Sequence, residues 1–234
     1  TLTLRAMAFL RTQGVSEYVA ACNSVSVSVL TPFIESPNGI QMRVIEMVGP
    51  TARSLAKSPR GKILVVATIA TVRAGLYATA FARQGLEVEM LALPGLAEAI
   101  ERGATHMELS ALIAPAISYA LSIGAGRLVF GCTQYPFVGS VFEQAFASRD
   151  TAVELIDPSN SVSDHVVSTF DMQVHCLNTF FVSKQSDIFH TTVRELFGEQ
   201  SDVMVIDVDP FVDKSVEEQW RREPFVACAS VSEC

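Results

Sequence analysis

The chain has 234 residues, of which 49% are hydrophobic and only 18% charged, and it carries a formal charge of −8. That much apolar material fills the core of one large or two small domains. The acidic balance, with no basic run anywhere, argues against nucleic acid and anionic membranes, both of which reward clusters of Lys and Arg.

Five cysteines, an odd number with no CxxC pair, read as cytosolic thiols rather than a disulfide framework. No signal peptide is visible at Thr1, so a cytoplasmic protein is expected. The longest charge-free run, residues 109–126, carries Pro115, serines and glycines and barely reaches the ~18 residues that a membrane span needs. It reads as a buried core helix.

In chain order, residues 2–13 show helical spacing (Leu4, Met7, Leu10), and Gly14 closes the helix. An apolar run, Tyr18-Val-Ala-Ala, then leads to Cys22, Asn23 and Ser24. Residues 24–30 alternate serine and valine; propensity suggests strand, position suggests the start of a helix, and both remain open. Residues 31–39 read as loop, 43–48 as a short strand and 50–56 as a short helix. A strongly apolar strand over 62–69 is followed by a helix over 71–84 that Gly85 ends. Strand 86–93, helix 94–102 with proline in its first turn, and helix 109–123 come next. Gly124-Ala-Gly126 reads as a helix-ending turn rather than a dinucleotide fingerprint, because it precedes a strand.

A second apolar run, Leu128-Val-Phe-Gly, leads to Cys132, Thr133 and Gln134. Helix 136–147, strand 152–156, helix 159–171, strand 179–183, helix 186–197 and strand 202–208 complete the pattern. Strands alternating with helices mean βαβ units and mainly parallel sheets, an α/β fold.

The two cysteine runs match each other: an apolar strand, a small residue, the thiol, then hydrogen-bonding side chains. Ligands of open α/β sheets gather beyond the carboxyl ends of the strands. The repeat therefore predicts a duplicated α/β half, with Cys22 and Cys132 facing one cleft. Boundaries near residues 46 and 156 give a first domain of 1–46 plus 157–234 and a second of 47–156.

Two thiols on opposite faces of a carbon acid can invert it, one removing a proton as thiolate and the other returning one. A helix N-terminus or a neighbouring cation lowers a thiol's pKa, and each cysteine precedes a predicted helix. The local N–H groups, with Asn23, Ser24 and Thr133, could hold a carboxylate without Lys or Arg. A single cysteine at a strand end is more often a small packed hydrophobe; two in matching settings favour chemistry. Cys176, Cys228 and Cys234 lack that setting. The four histidines show no metal spacing, Glu101 reads equally as a solvated helix residue, and Thr71 as the N-cap of its helix.

At these residues the chain resembles bacterial glutamate racemase, within the wider aspartate/glutamate racemase superfamily. Ala21-Cys-Asn-Ser24 resembles that family's Ala-Cys-Asn-Thr block, and Gly131-Cys-Thr-Gln-Tyr-Pro136 its Gly-Cys-Thr-His-Tyr-Pro block. Ala67-Thr-Ile-Ala-Thr-Val72 with Tyr77, and Pro94-Gly-Leu96 with Glu101, are similar to two further family segments. The matches run from about Leu4 to Val208.

The resemblance implies two pseudo-symmetric α/β domains with the active site in the cleft between them. It implies catalytic Cys22 and Cys132 with Glu101 assisting the second thiol. Asn23, Ser24, Thr68, Thr71, Thr133 and Gln134 would bind substrate. It further implies glutamate as the small-molecule substrate, D-glutamate for peptidoglycan as the product, no cofactor, no metal and a homodimer. Racemisation of aspartate or another amino acid is the alternative within the superfamily, and a non-catalytic binding protein the alternative outside it.

Two departures bear on activity. The family's chains carry an earlier block of about fifty residues, with Asp-Ser-Gly and Pro-Tyr-Gly motifs, whose first strand would otherwise cover a sheet edge. Gln134 stands where the family has histidine, and an amide cannot shuttle a proton near neutral pH.

Overall fold

The computed structural model describes residues 2–26, 43–58, 60–170, 178–198 and 202–207. Most of the ambiguous segment 24–30, the predicted loop 31–39, His175, Cys176, Cys228 and Cys234 lie outside them.

The described elements alternate in the order the sequence predicts. They are α1 (Leu2–Thr12), β1 (Glu17–Val19), a single turn α2 (Asn23–Val25), β2 (Arg43–Ile45), α3 (Val48–Ala56), β3 (Lys62–Ala67), α4 (Ile69–Ala74) and α5 (Leu76–Arg83). They continue with β4 (Val88–Ala92), α6 (Leu96–Glu101), α7 (His106–Ile123), β5 (Ala125–Gly131), a 3₁₀ turn (Tyr135–Val138), α8 (Gly139–Ala147), β6 (Glu154–Ile156) and α9 (Pro158–Thr169). Finally come β7 (Thr179–Val182), α10 (Asp187–Phe197) and β8 (Asp202–Val205).

Contacts divide the chain into two units: Thr1–Ser16 with Met172–Cys234, and Glu17–Asp171. This grouping differs from boundaries at residues 46 and 156. The physical reason is that β1 and β2 pair with each other, while α2 packs on α4 and α9 on α3, so these segments join the central sheet's unit. In the smaller unit β7 and β8 run parallel, with Phe180 opposite Val203, and Phe9 of α1 meets Phe181 edge-on at 4.9 Å.

The larger unit is built on a four-stranded sheet in the order β4-β3-β5-β6, all parallel. Alternation along the strands divides the core between its two faces. Leu64, Val66, Leu128 and Phe130 join Leu96 of α6, Ile113 and Ile117 of α7 and Phe142 of α8 on one face. Ile63, Val65 and Val129 join Ala52 and Leu55 of α3 and Tyr77 and Phe81 of α5 on the other. With both faces covered, β3 and β5 read in sequence as unbroken apolar runs.

The apolar run predicted as a core helix is α7. Length and composition alone would let it cross a membrane, but Leu109, Ile113, Ala116, Ile117 and Ala120 form one stripe buried in the core of this unit. It starts earlier than the apolar residues suggest, because the Thr105 hydroxyl accepts from the Glu108 N–H and caps it at His106.

Two other boundaries differ from the sequence pattern. The predicted helix over 71–84 is two helices, α4 and α5, broken at Gly75, whose φ of 67° lies in the left-handed region. The strand predicted to residue 69 ends at Ala67, since Thr68 caps α4 by accepting from the Thr71 N–H.

The pairing of β3 with β5 is unusually close at its end. Ala67 stands opposite Gly131, and a Cβ on Gly131 would come 2.8 Å from Ala67 Cβ and 3.1 Å from Val66 O. Gly131→Ala should therefore destabilise the fold by about 1–3 kcal/mol through overpacking. Urea unfolding would measure it; an unchanged midpoint would mean the strands part freely.

Candidate active site

In the strand order β4-β3-β5-β6 the chain leaves β3 toward β4 on one side and returns to β5 on the other. Crevices open at such switch points, beyond the carboxyl ends of the strands. Thr68 follows β3 and Cys132 follows β5, so the ladder itself sets them side by side.

A third contribution arrives from β1. Cys22 occupies the N-cap of the α2 turn in extended conformation (φ −145°, ψ 118°), and its side chain is exposed. Buried Ser26 pins that turn: its hydroxyl lies 2.8 Å from Cys22 O and accepts from the Met47 N–H at 3.3 Å.

Ser24 points at the start of α4. Its Oγ lies 3.1 Å from both Thr68 Oγ1 and Thr71 Oγ1, which are themselves 3.1 Å apart. The triangle contains three rotatable hydroxyls, each able to donate or accept. Asn23 is almost wholly buried at 2% exposure, and its Oδ1 accepts from the Tyr77 hydroxyl at 2.5 Å. That bond fixes the amide and leaves Asn23 Nδ2, buried and without a partner, as a donor. Burial first, then the charges of Glu46, Cys132 and Asp157, push the Tyr77 hydroxyl far up, so it stays a donor.

Beyond the end of β5 Cys132 is buried, and its thiol lies 3.6 Å from Gln134 Oε1. Gln134 Nε2 in turn donates to the carboxylate of Glu101, the exposed last residue of α6. Thr133 lies half-buried between the two.

The helix-type turn after Cys132 predicts a lowered pKa. Backbone N–H groups of Gln134 and Tyr135 do pull it down, but burial pushes the thiol up, and the nearby charges of Cys22 and Glu101 add to that. Burial dominates and the net shift is upward. Cys132 therefore holds its proton beyond the usual thiol range, and its contribution to stability is lost as pH rises through its folded-state pKa.

Every sequence-predicted site residue thus falls in the larger unit. Cys22, Asn23, Ser24, Thr68 and Thr71 form one group; Cys132, Gln134 and Glu101 form a chain of hydrogen bonds. Sequence reasoning missed the supports, Ser26 and the Tyr77 hydroxyl. Tyr77 stood in the sequence only as part of the segment that resembles the family, with no role given to its hydroxyl. Among the described residues no three His, Cys, Asp or Glu side chains converge on a metal site. His106 and His165 bond instead to Gln144 and Arg53.

No protein-family model matches the chain. The fold is that of amino-acid racemases of the aspartate/glutamate type. A glutamate racemase isoform from Bacillus anthracis superposes with TM-score 0.76 at 22% identity, covering 88% of this chain and 79% of that one. A glutamate racemase from Francisella tularensis, solved with D-glutamate, gives 0.75 at 20% identity over 89% and 80%.

In sequence the chain resembles the glutamate racemases specifically. It is 33% identical to that of Beutenbergia cavernae over 145 residues, 60% of this chain and 49% of the relative. It is 32% identical to that of Roseiflexus sp. over 162 residues, 68% and 58%. The chain thus spans about half the length of the first relative.

Proposed function

We propose that the protein is a cofactor-independent racemase that interconverts L- and D-glutamate between the thiols of Cys22 and Cys132. What supports this reading is that Cys22 lies near enough to Cys132 for its charge to act on that thiol, beside the Ser24, Thr68 and Thr71 hydroxyls and Asn23 Nδ2, donors that suit a carboxylate. The names of the curated relatives support glutamate as substrate.

In this reading the Ser24, Thr68 and Thr71 hydroxyls and Asn23 Nδ2 hold the substrate's carboxylates by hydrogen bonds. One sulfur, as thiolate, takes the α-proton. The other, as thiol, gives its proton to the opposite face of the same carbon. The product leaves with inverted configuration and the two sulfurs with exchanged protonation, which exchange with solvent resets. Glu101 acts through Gln134 on the second thiol, and no group outside the chain is required.

A cytoplasmic setting, a homodimer, a role in supplying D-glutamate for peptidoglycan and two racemase domains go with this reading, on the resemblance alone. The test is α-proton exchange of L- and D-glutamate in D₂O, followed by NMR and polarimetry. Exchange with inversion from both enantiomers is expected; exchange confined to aspartate would move the substrate within the superfamily.

One observation favours a second reading. Gln134 cannot carry a proton, so a protein that binds D-glutamate without turning it over would also fit the crevice. Binding by calorimetry with no deuterium incorporation would establish that alternative.

A further inference from the structure

The contact between Cys132 and Gln134 has a direction. A carboxylate only accepts hydrogen bonds, so Gln134 must turn Nε2 toward Glu101, and Oε1 is then the atom left for Cys132. An amide oxygen accepts a bond from a thiol and repels a thiolate. We propose that Gln134 is a positioning residue: clamped by Glu101, its amide holds Cys132 as a hydrogen-bond donor, so that Cys132 keeps its proton in the free protein. This deepens the two-thiol reading and rests on it.

An imidazole in place of Gln134 could present N–H to both neighbours when protonated and would impose no such direction. The amide imposes it because its two ends differ. For Cys132 to become the acceptor, the amide must reverse, and Gln134 Oε1 would then confront the Glu101 carboxylate. The state of Cys132 is thus tied to the Glu101 carboxylate through an amide whose two ends differ.

Burial and the facing charged groups act in the same direction, against the backbone N–H groups of Gln134 and Tyr135, which pull the thiol down. Cys22 from the α2 turn and Glu101 from α6 raise Cys132 by their charge, while Tyr77 of α5 and Tyr135 of the 3₁₀ turn are themselves pushed up by burial and remain neutral.

The test reads the Cys132 thiol directly and needs no turnover. In a Cys22→Ala background, the pH dependence of iodoacetamide alkylation at Cys132 is followed by peptide mass spectrometry. It is repeated for Glu101→Gln, Gln134→Met and the double variant. Glu101→Gln frees the amide to reverse and should lower the alkylation midpoint by about one unit, a tenfold rise in thiolate. In the Gln134→Met background, where no amide transmits the change, the shift should be less than about a third of that. Charge removal alone would produce equal shifts in both backgrounds. Equal shifts, no shift in either background, or a larger shift in the Gln134→Met background would overturn the proposal. Failure of the racemase reading would show separately, as absence of exchange in the unmodified protein.

Discussion

Cys132→Ala and Cys22→Ala should each lower the rate of glutamate inversion by at least about 10²–10⁴-fold, the range for loss of a positioned acid or base. The two variants should fail in the same way, because inversion needs a donor and an acceptor on opposite faces of one carbon. Neither cysteine supports the fold heavily. Cys22 is exposed, and Cys132 contributes only a small apolar group at the edge of the core. Urea midpoints should therefore stay near that of the unmodified protein, which separates lost chemistry from lost structure. Inversion measured by polarimetry and α-deuterium incorporation measured by NMR give the two readouts. A Cys132→Ala protein that still inverted glutamate at full rate would remove this thiol from the mechanism.

Tyr77→Ala should cost about 3–5 kcal/mol of stability, the range for deleting a large buried aromatic ring. Tyr77 has no exposed surface and packs with Val65, Phe81 and Val129 under the central sheet. The ring is only part of its role. Tyr77→Phe keeps the packing and removes the hydroxyl that orients Asn23, which leaves Asn23 Oδ1 buried without its donor. That smaller change should cost about 1–3 kcal/mol and, with the amide released, raise KM more than it lowers kcat. Denaturant titration of both variants with steady-state kinetics of Tyr77→Phe would check this. A Tyr77→Phe variant with unchanged stability and KM would mean that Asn23 is held by other means.

The parts of the fold visible in sequence are those that local pattern dictates. β3 and β5 announce themselves as continuous apolar runs, and both cysteine strands carry their thiols at the carboxyl end. What escaped reading depended on a residue doing two things. Thr68 looks like the last strand residue but caps the next helix, and Gly75 looks tolerable inside a helix but adopts a left-handed conformation.

Within the candidate site, Cys22, Cys132 and Glu101 stood out in the sequence as candidates, while the electrostatics of Cys132 did not. The positive end of a helix argued for a lowered thiol pKa at Cys132; tertiary burial, which no local pattern reports, reversed the sign. The hydroxyl triangle likewise joins Ser24 to Thr68 and Thr71 across a long stretch of chain, and only folding brings them within hydrogen-bond reach.

The Ala67–Gly131 pairing sets a ruler for the site. Thr68 and Cys132 each stand one residue beyond that pair, so their separation is fixed by the spacing between neighbouring strands, about 4.8 Å along the hydrogen-bonding direction, rather than by loop conformation. Motions that loosen the surrounding loops leave such a distance unchanged. The backbone amides of β3 and β5 lie in the most deeply buried part of the sheet, where opening follows global unfolding. On heating, the thiol and the hydroxyls should accordingly keep their spacing until the sheet itself melts, and the geometry of the site should be lost in one step with the fold.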